Sequence, residues 1–180
     1  DLTFKRRPRR WLEEVFKGLR YDIIGISAMV TMIKDAILVA SLAKTAQPQA
    51  RIILGGPQPS VMPDEVLSSP FVDAVCIGEG EITITEIVKK GGKLDGVKGI
   101  WFKEGGEIIK NPPREPLAHL DDIPLPEMDG LPMMRYLKNW FQMDSVSPSL
   151  IGTAVLASRG CPYKCTYCQP TLERLFGRGL

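Results

Sequence analysis

Three of the four cysteines lie within eight positions, in SRGCPYKCTYCQP, residues 158–170. The spacing Cys161-x3-Cys165-x2-Cys168 makes them candidate metal ligands. Three chemistries compete for such a set. A disulfide would pair two thiols, strand the third and need an oxidising setting. A structural zinc site wants four ligands, commonly as two separated Cys-x2-Cys pairs. The other candidates for it are Cys76, inside an apolar run, and His119, the only histidine. The third chemistry is an iron–sulfur cluster. A [4Fe–4S] cube has four corners, so three thiolates from one loop leave one iron open to a small molecule. Structural metal sites are closed, whereas catalytic ones keep an open position. On that logic the loop is an incomplete cage.

Upstream, three apolar runs each end in a turn of small residues: YDIIGISAM, RIILGGPQPS and VCIGEGE. Apolar runs of this length are expected of strands covered on both faces, here Ile23 to Ile26, Ile52 to Leu54 and Val72 to Ile77. Ligands of open α/β sheets bind at the C-terminal ends of the strands. Glycine at such an end removes side-chain bulk and lets a large flat ligand lie against the main chain. Ser27 and Thr31 offer hydroxyls there, and Glu79 a carboxylate acceptor. A single glycine pair would only make a tight turn; the series carries the binding reading. Cys76, between Val75 and Ile77, reads as a small core residue.

The elements between these runs must position them. RRWLEEVFKGLRYD places Trp11, Leu12, Val15, Phe16 and Leu19 at helical spacing. The basic residues Lys5, Arg6, Arg7, Arg9 and Arg10 read as a solvated helix start rather than a phosphate-binding arm. Met32 to Ala46 is apolar throughout and too long for a buried strand, so it is a helix that Pro48 ends. A short helix is expected at Pro63 to Leu67, with proline near its start. EITITEIVKKGG alternates like a strand, but its place after a strand and a glycine turn makes it a helix closed by Gly91-Gly92. Strand, helix, strand, helix, strand at this spacing is a parallel sheet wrapped by helices. GIWFKEGGEIIK is a hairpin turning at Glu104-Gly105-Gly106. From 111 the chain becomes proline-rich and loses periodicity, as in an extended linker. MMRYLKNWFQM is a short helix, and TAVLAS a strand that delivers the chain to Cys161. Trp101 and Phe102 are packing residues.

The net charge of +2 is too small to suggest a nucleic-acid or membrane surface. No apolar run approaches the roughly 18 residues of a membrane span. The N-terminal DLTFKRRPRRWLEE has no apolar leader core. With four cysteines, that argues for a reducing, cytoplasmic compartment.

SRGCPYKCTYCQP resembles the cluster loop of the radical S-adenosylmethionine (SAM) enzymes, in spacing, in Arg159-Gly160 and in the aromatic Tyr167 before the third cysteine. TAVLAS resembles the first strand of their barrel. The order of motifs resembles the cobalamin-binding members of that family: Gly25-Ile26-Ser27, then Leu54-Gly55-Gly56-Pro57, Gly78-Glu79-Gly80-Glu81, the linker run Asp121-Asp122-Ile123-Pro124-Leu125-Pro126, and the cysteine loop. The resemblance implies a Rossmann- or flavodoxin-like α/β domain over residues 1–110, with helices on both faces and its usual first strand missing. A proline-rich linker over 111–150 and the start of a truncated radical SAM barrel over 151–180 would follow. A whole barrel needs about 200 residues, and twelve follow Cys168, so the chain is expected to be an inactive fragment with an unsupported cluster loop.

The resemblance also implies cofactors. Cys161, Cys165 and Cys168 would hold a [4Fe–4S] cluster whose open iron chelates SAM, with the backbone near Tyr167 meeting the adenine. An electron from a flavodoxin or ferredoxin would pass through the cluster to cleave SAM into methionine and a 5′-deoxyadenosyl radical. Ser27, Met29, Val30, Thr31, Leu54, Gly55, Gly56, Pro57, Gly78, Glu79 and Gly80 would line cobalamin and its nucleotide tail. Gln58 stands where many relatives have histidine. The Asp-x-His-x-x-Gly signature of histidine ligation to cobalt is absent and His119 is out of context, so Met29 and Val30 would cover the lower corrin face. The implied reaction on a small-molecule substrate is methyl transfer by way of methylcobalamin, or ring formation. Two alternatives stand beside it: a methylthiotransferase acting on transfer RNA, which carries three further upstream cysteines where this chain has Cys76, and a non-enzymatic cobalamin carrier or sensor with a zinc-type loop.

Overall fold

The computed structural model describes residues 8–138, 152 and 158–160. The expected strand TAVLAS and the loop carrying Cys161, Cys165, Tyr167 and Cys168 lie outside them.

The chain opens with α1 (Pro8–Gly18). Leu12 and Phe16, one turn apart, bury its inner face. Arg9 and Arg10 pair with Glu13 and Glu14 on the outer face; Lys5, Arg6 and Arg7 lie outside the described residues. Leu19, expected on the apolar stripe, is 56% exposed, because the helix has ended by Gly18. Strand β1 (Ile23–Ser27) leads through a 3₁₀ turn at Val30–Met32 into α2 (Ile33–Ala46). Ala36, Ala40 and Ala43 form the buried stripe of α2; side chains this small let a helix lie close to the sheet. Gln47 is buried at the end of α2 and caps α1 as well. Its Nε2 donates to the carbonyls of Phe16 and Leu19, and its Oε1 accepts from the Tyr21 amide. The orphan carbonyls of the α1 C-terminus are thereby satisfied.

Strand β2 (Arg51–Gly55), the short helices α3 (Pro57–Val61) and α4 (Pro63–Leu67), and β3 (Ala74–Cys76) follow. β1 pairs with β2 and β2 with β3, all parallel. The start of β2 is held by Asp73, whose Oδ2 accepts from the Ile52 amide and from Lys44 at 2.7 Å each. Helix α5 (Glu81–Lys89) confirms that position after a glycine turn outweighs strand propensity. The hairpin β4 (Ile100–Glu104) and β5 (Glu107–Lys110) is joined by Gly105 and Gly106, both at positive φ.

This hairpin belongs to the sheet. β4 runs antiparallel along β3, so the order is β1-β2-β3-β4-β5 and the sheet is mixed. Without it the far edge of β3 would expose unpaired backbone groups. Ile52, Leu54 and Val75 face a core shared with α1, α2 and α4; Ile53, Ala74 and Cys76 face a second core with Ile87 and Ile100. Both faces of the central strands are covered, as expected of an α/β sheet. β1 departs from that expectation. It pairs with β2 alone among the described residues, its isoleucines are half-buried, and Gly25 and Ser27 are exposed.

The proline-rich segment begins tied to the sheet domain. Asn111 is buried and donates from Nδ2 to the carbonyls of Leu94 and Val97. Arg114 reaches Glu86 and the Thr83 hydroxyl. Beyond a 3₁₀ turn at Leu120–Asp122 comes α6 (Met133–Lys138).

Candidate functional site

Parallel pairing brings Ser27, Gly55 and the Gly78-Glu79-Gly80 turn to one edge, the C-terminal edge of β1 to β3. Backbone bonds lock the first two turns together. The Ala28 amide donates to the Gly55 carbonyl at 2.9 Å, and the Gln58 amide to the Ala28 carbonyl at 3.2 Å.

The glycines divide by what holds them. Gly56 has φ 96°. A Cβ there would lie 2.9 Å from Ser27 Oγ and 3.0 Å from the Ala28 carbonyl oxygen. The neighbouring strand end therefore requires glycine at 56, and Gly78, at φ 78°, is required by its backbone. Gly55 and Gly80 are under no such demand. A Cβ at Gly55 would meet the Cys76 Cβ at 3.6 Å, and one at Gly80 the Cys76 Sγ at 3.8 Å, ordinary contacts. Among the described residues nothing requires glycine at these two positions, which leave the main chain bare at the edge.

The segments that follow β1 and β2 expose apolar side chains. Met29 is 53% and Val30 66% exposed, and Met32, Val61 and Met62 are exposed too. An apolar macrocycle laid over the edge would cover such a surface. Thr31 is exposed beside Val30, and Pro57 is exposed at the start of α3. Leu54 is fully buried, so its side chain supports the edge from beneath.

Ser60 escaped the sequence reading. Its Oγ donates to the Gly56 carbonyl at 2.8 Å and accepts from the Gly78 amide at 3.0 Å. One hydroxyl thus ties the LGGP turn to the GEGE turn. A serine in the middle of a five-residue helix gives no local signal of that contact.

Glu79 also has a partner the sequence could not show. Its Oε1 accepts from Arg159 Nη1 at 3.0 Å and its Oε2 from the Leu117 amide at 2.8 Å. Its side chain is only 7% exposed, so its acceptors face the protein. Glu81 Oε1 accepts from Arg159 Nη2 at 2.5 Å, while Glu81 Oε2 is buried with no partner among the described residues. Burial pushes the Glu81 carboxyl up, but the hydrogen bond from Arg159, that residue's charge and the helix-start amides outweigh it and hold the group below its usual range. Cys76 lies beneath the turn as a buried free thiol, as expected of a core residue; burial pushes it up to about 11, against the Thr83 hydroxyl and the Arg114 charge. His119 is exposed in the linker. Among the described residues no cluster of three His, Cys, Asp or Glu side chains could hold a metal ion, and no helix is long and apolar enough to cross a membrane.

Residues 2–88 match the B12 binding domain family. The chain carries a B12-binding domain. A protein of Pyrococcus horikoshii described as an uncharacterized methyltransferase is 35% identical over 182 residues, 99% of this chain and 36% of that protein. The anaerobic magnesium-protoporphyrin IX monomethyl ester cyclase of Rubrivivax gelatinosus is 27% identical over 165 residues, 87% of this chain and 28% of the cyclase. Among solved structures, the cobalamin-dependent S-adenosylmethionine radical enzyme OxsB, with aqua-cobalamin and S-adenosylmethionine bound, matches with a TM-score of 0.68 and 25% identity, over 94% of this chain and 22% of its own. The chain thus spans roughly a third of the length of these curated relatives. The resemblance drawn from the motif order is borne out in family and in α/β fold. The glycine turns and the apolar surface around them belong to the B12-binding domain and fit the group its name implies.

Proposed function

We propose that this B12-binding domain is part of a longer cobalamin-dependent radical SAM enzyme, and that the enzyme transfers a methyl group to a small-molecule substrate. The observation that carries the reading is the seating of Arg159, two residues before Cys161, on the GEGE turn of the B12-binding edge. That contact supports a reading in which the three-cysteine loop would start beside the cobalamin, as a reaction using both cofactors requires. The P. horikoshii relative, described as a methyltransferase, supports methyl transfer over ring formation.

Cys161, Cys165 and Cys168 would hold a [4Fe–4S] cluster, and SAM would bind at its open iron. Bound together, the cluster supplies the electron for reductive cleavage of SAM and cobalamin supplies the methyl carrier. The chain's own residues do the rest. Gly55 and Gly80 leave room for the corrin, Met29 and Val30 give its lower face an apolar bed that excludes water, and Ser27 and Thr31 offer hydroxyls to its polar tail. Protein histidine takes no part in that bed. The division at residues 110 and 150 into B12-binding domain, linker and the start of the SAM domain belongs to the same proposal, as do a cytoplasmic setting and an electron donor of the flavodoxin or ferredoxin kind.

The full-length protein, reconstituted with iron and sulfide without oxygen and then reduced, tests this. Conversion of SAM to methionine and 5′-deoxyadenosine is expected. Zinc in the loop and intact SAM would overturn the reading.

A further inference from the structure

Glu79 holds two distant parts of the chain at once. One oxygen accepts from the Leu117 amide, within the proline-rich run, and the other from Arg159 just before the cysteine loop. Leu117 and Arg159, 42 positions apart, therefore meet at one carboxylate. Glu81 adds a second arm to the same guanidinium. Closing so long a loop costs entropy, and an exposed ion pair would not offset it. This pair is not exposed: the Glu79 side chain is 7% and that of Arg159 26% accessible. The guanidinium fork engages two carboxylates by separate nitrogens, which fixes its orientation as well as its position. Without it, two carboxylates two residues apart would face each other at a partly buried turn.

The GEGE turn has thus two functions by its two residue types. Gly80 leaves the edge bare, and the glutamates form a receptor for one cation from far along the chain. We infer that Arg159, clamped by Glu79 and Glu81, is a positioning residue that sets the distance between the three-cysteine cluster and the B12-binding edge. This rests on the proposed cofactor pair. It adds that the separation of the two cofactors is fixed by an ion-pair clamp rather than by the linker's stiffness.

The test is the magnetic interaction between Co(II) cobalamin and the reduced cluster in the full-length protein, read as a distance distribution by pulsed electron paramagnetic resonance. The unaltered protein is expected to give one narrow distance. Arg159→Ala should broaden it and raise abortive SAM cleavage several-fold per product formed, with iron and cobalamin contents held near those of the unaltered protein. Arg159→Lys, which keeps the charge but lacks the fork, and Glu81→Gln, which weakens one arm, should broaden it less. These milder variants keep the test open if Arg159→Ala does not fold. An unchanged narrow distance in Arg159→Lys and Glu81→Gln, together with one in Arg159→Ala if it folds, would overturn the clamp alone. Absence of either paramagnetic signal from the unaltered protein would overturn the cofactor pair, and the clamp with it.

Discussion

Ser60 Oγ accepts from the Gly78 amide at 3.0 Å while donating to the Gly56 carbonyl, so one side chain joins two glycine turns whose bonded residues lie 22 positions apart in sequence. Ser60→Ala leaves the Gly78 amide without that partner, and an unsatisfied group of this kind costs about 1–3 kcal/mol. The expected outcome is a lower urea midpoint and weaker cobalamin binding, with Ser60→Thr close to the original because the hydroxyl remains. Equal binding by the alanine variant would show that the two turns do not need this tie.

Gly55 and Gly56 should respond differently to the same substitution. Gly56→Ala places a Cβ against Ser27 and Ala28 at a positive φ, and strain of that sort costs about 1–3 kcal/mol. It should lower stability. Gly55→Ala meets only an ordinary contact with Cys76, so its unfolding curve should barely move while its cobalamin affinity falls. Denaturation alongside a cobalamin titration separates the two. Unchanged affinity in a well-folded Gly55→Ala protein would remove the open edge from the account.

The Glu81 carboxyl is held below its ordinary value of 4.5 by Arg159 and the helix start. A group depressed in the folded state stabilises the fold above its unfolded pKa, and that contribution is lost as pH falls through the folded one. The difference in stability between the unaltered protein and Glu81→Gln is therefore expected to be constant near neutrality and to shrink as the pH is lowered below about 4.5. Urea titrations at a series of pH values check this. A difference that grew on acidification would contradict the assigned direction.

Much of the edge was legible because its signals are local. Three apolar runs ending in turns of small residues read as three parallel strands, as found, and the Gly78–Gly80 turn rightly made Glu81–Lys89 a helix against its alternating threonines. What was hidden depends on distance. The hairpin's place in the sheet comes from the need to cover β3, which no window of sequence contains. The bridging hydroxyl of Ser60 and the pairing of Glu79 with Arg159 join residues 18 and 80 positions apart. The split of the glycines into Gly56, required by Ser27, and Gly55, required by nothing among the described residues, depends on neighbours distant in sequence. β1 misled because an apolar run reads alike whether one face is covered or two.

The central claim is that the open edge seats cobalamin beside a three-thiolate cluster. The most direct measurement is the visible spectrum of the full-length protein, purified without oxygen in the presence of hydroxocobalamin and freed of unbound cofactor. The account predicts corrin bands together with a broad iron–sulfur shoulder. Iron–sulfur absorption with no retained corrin would contradict it.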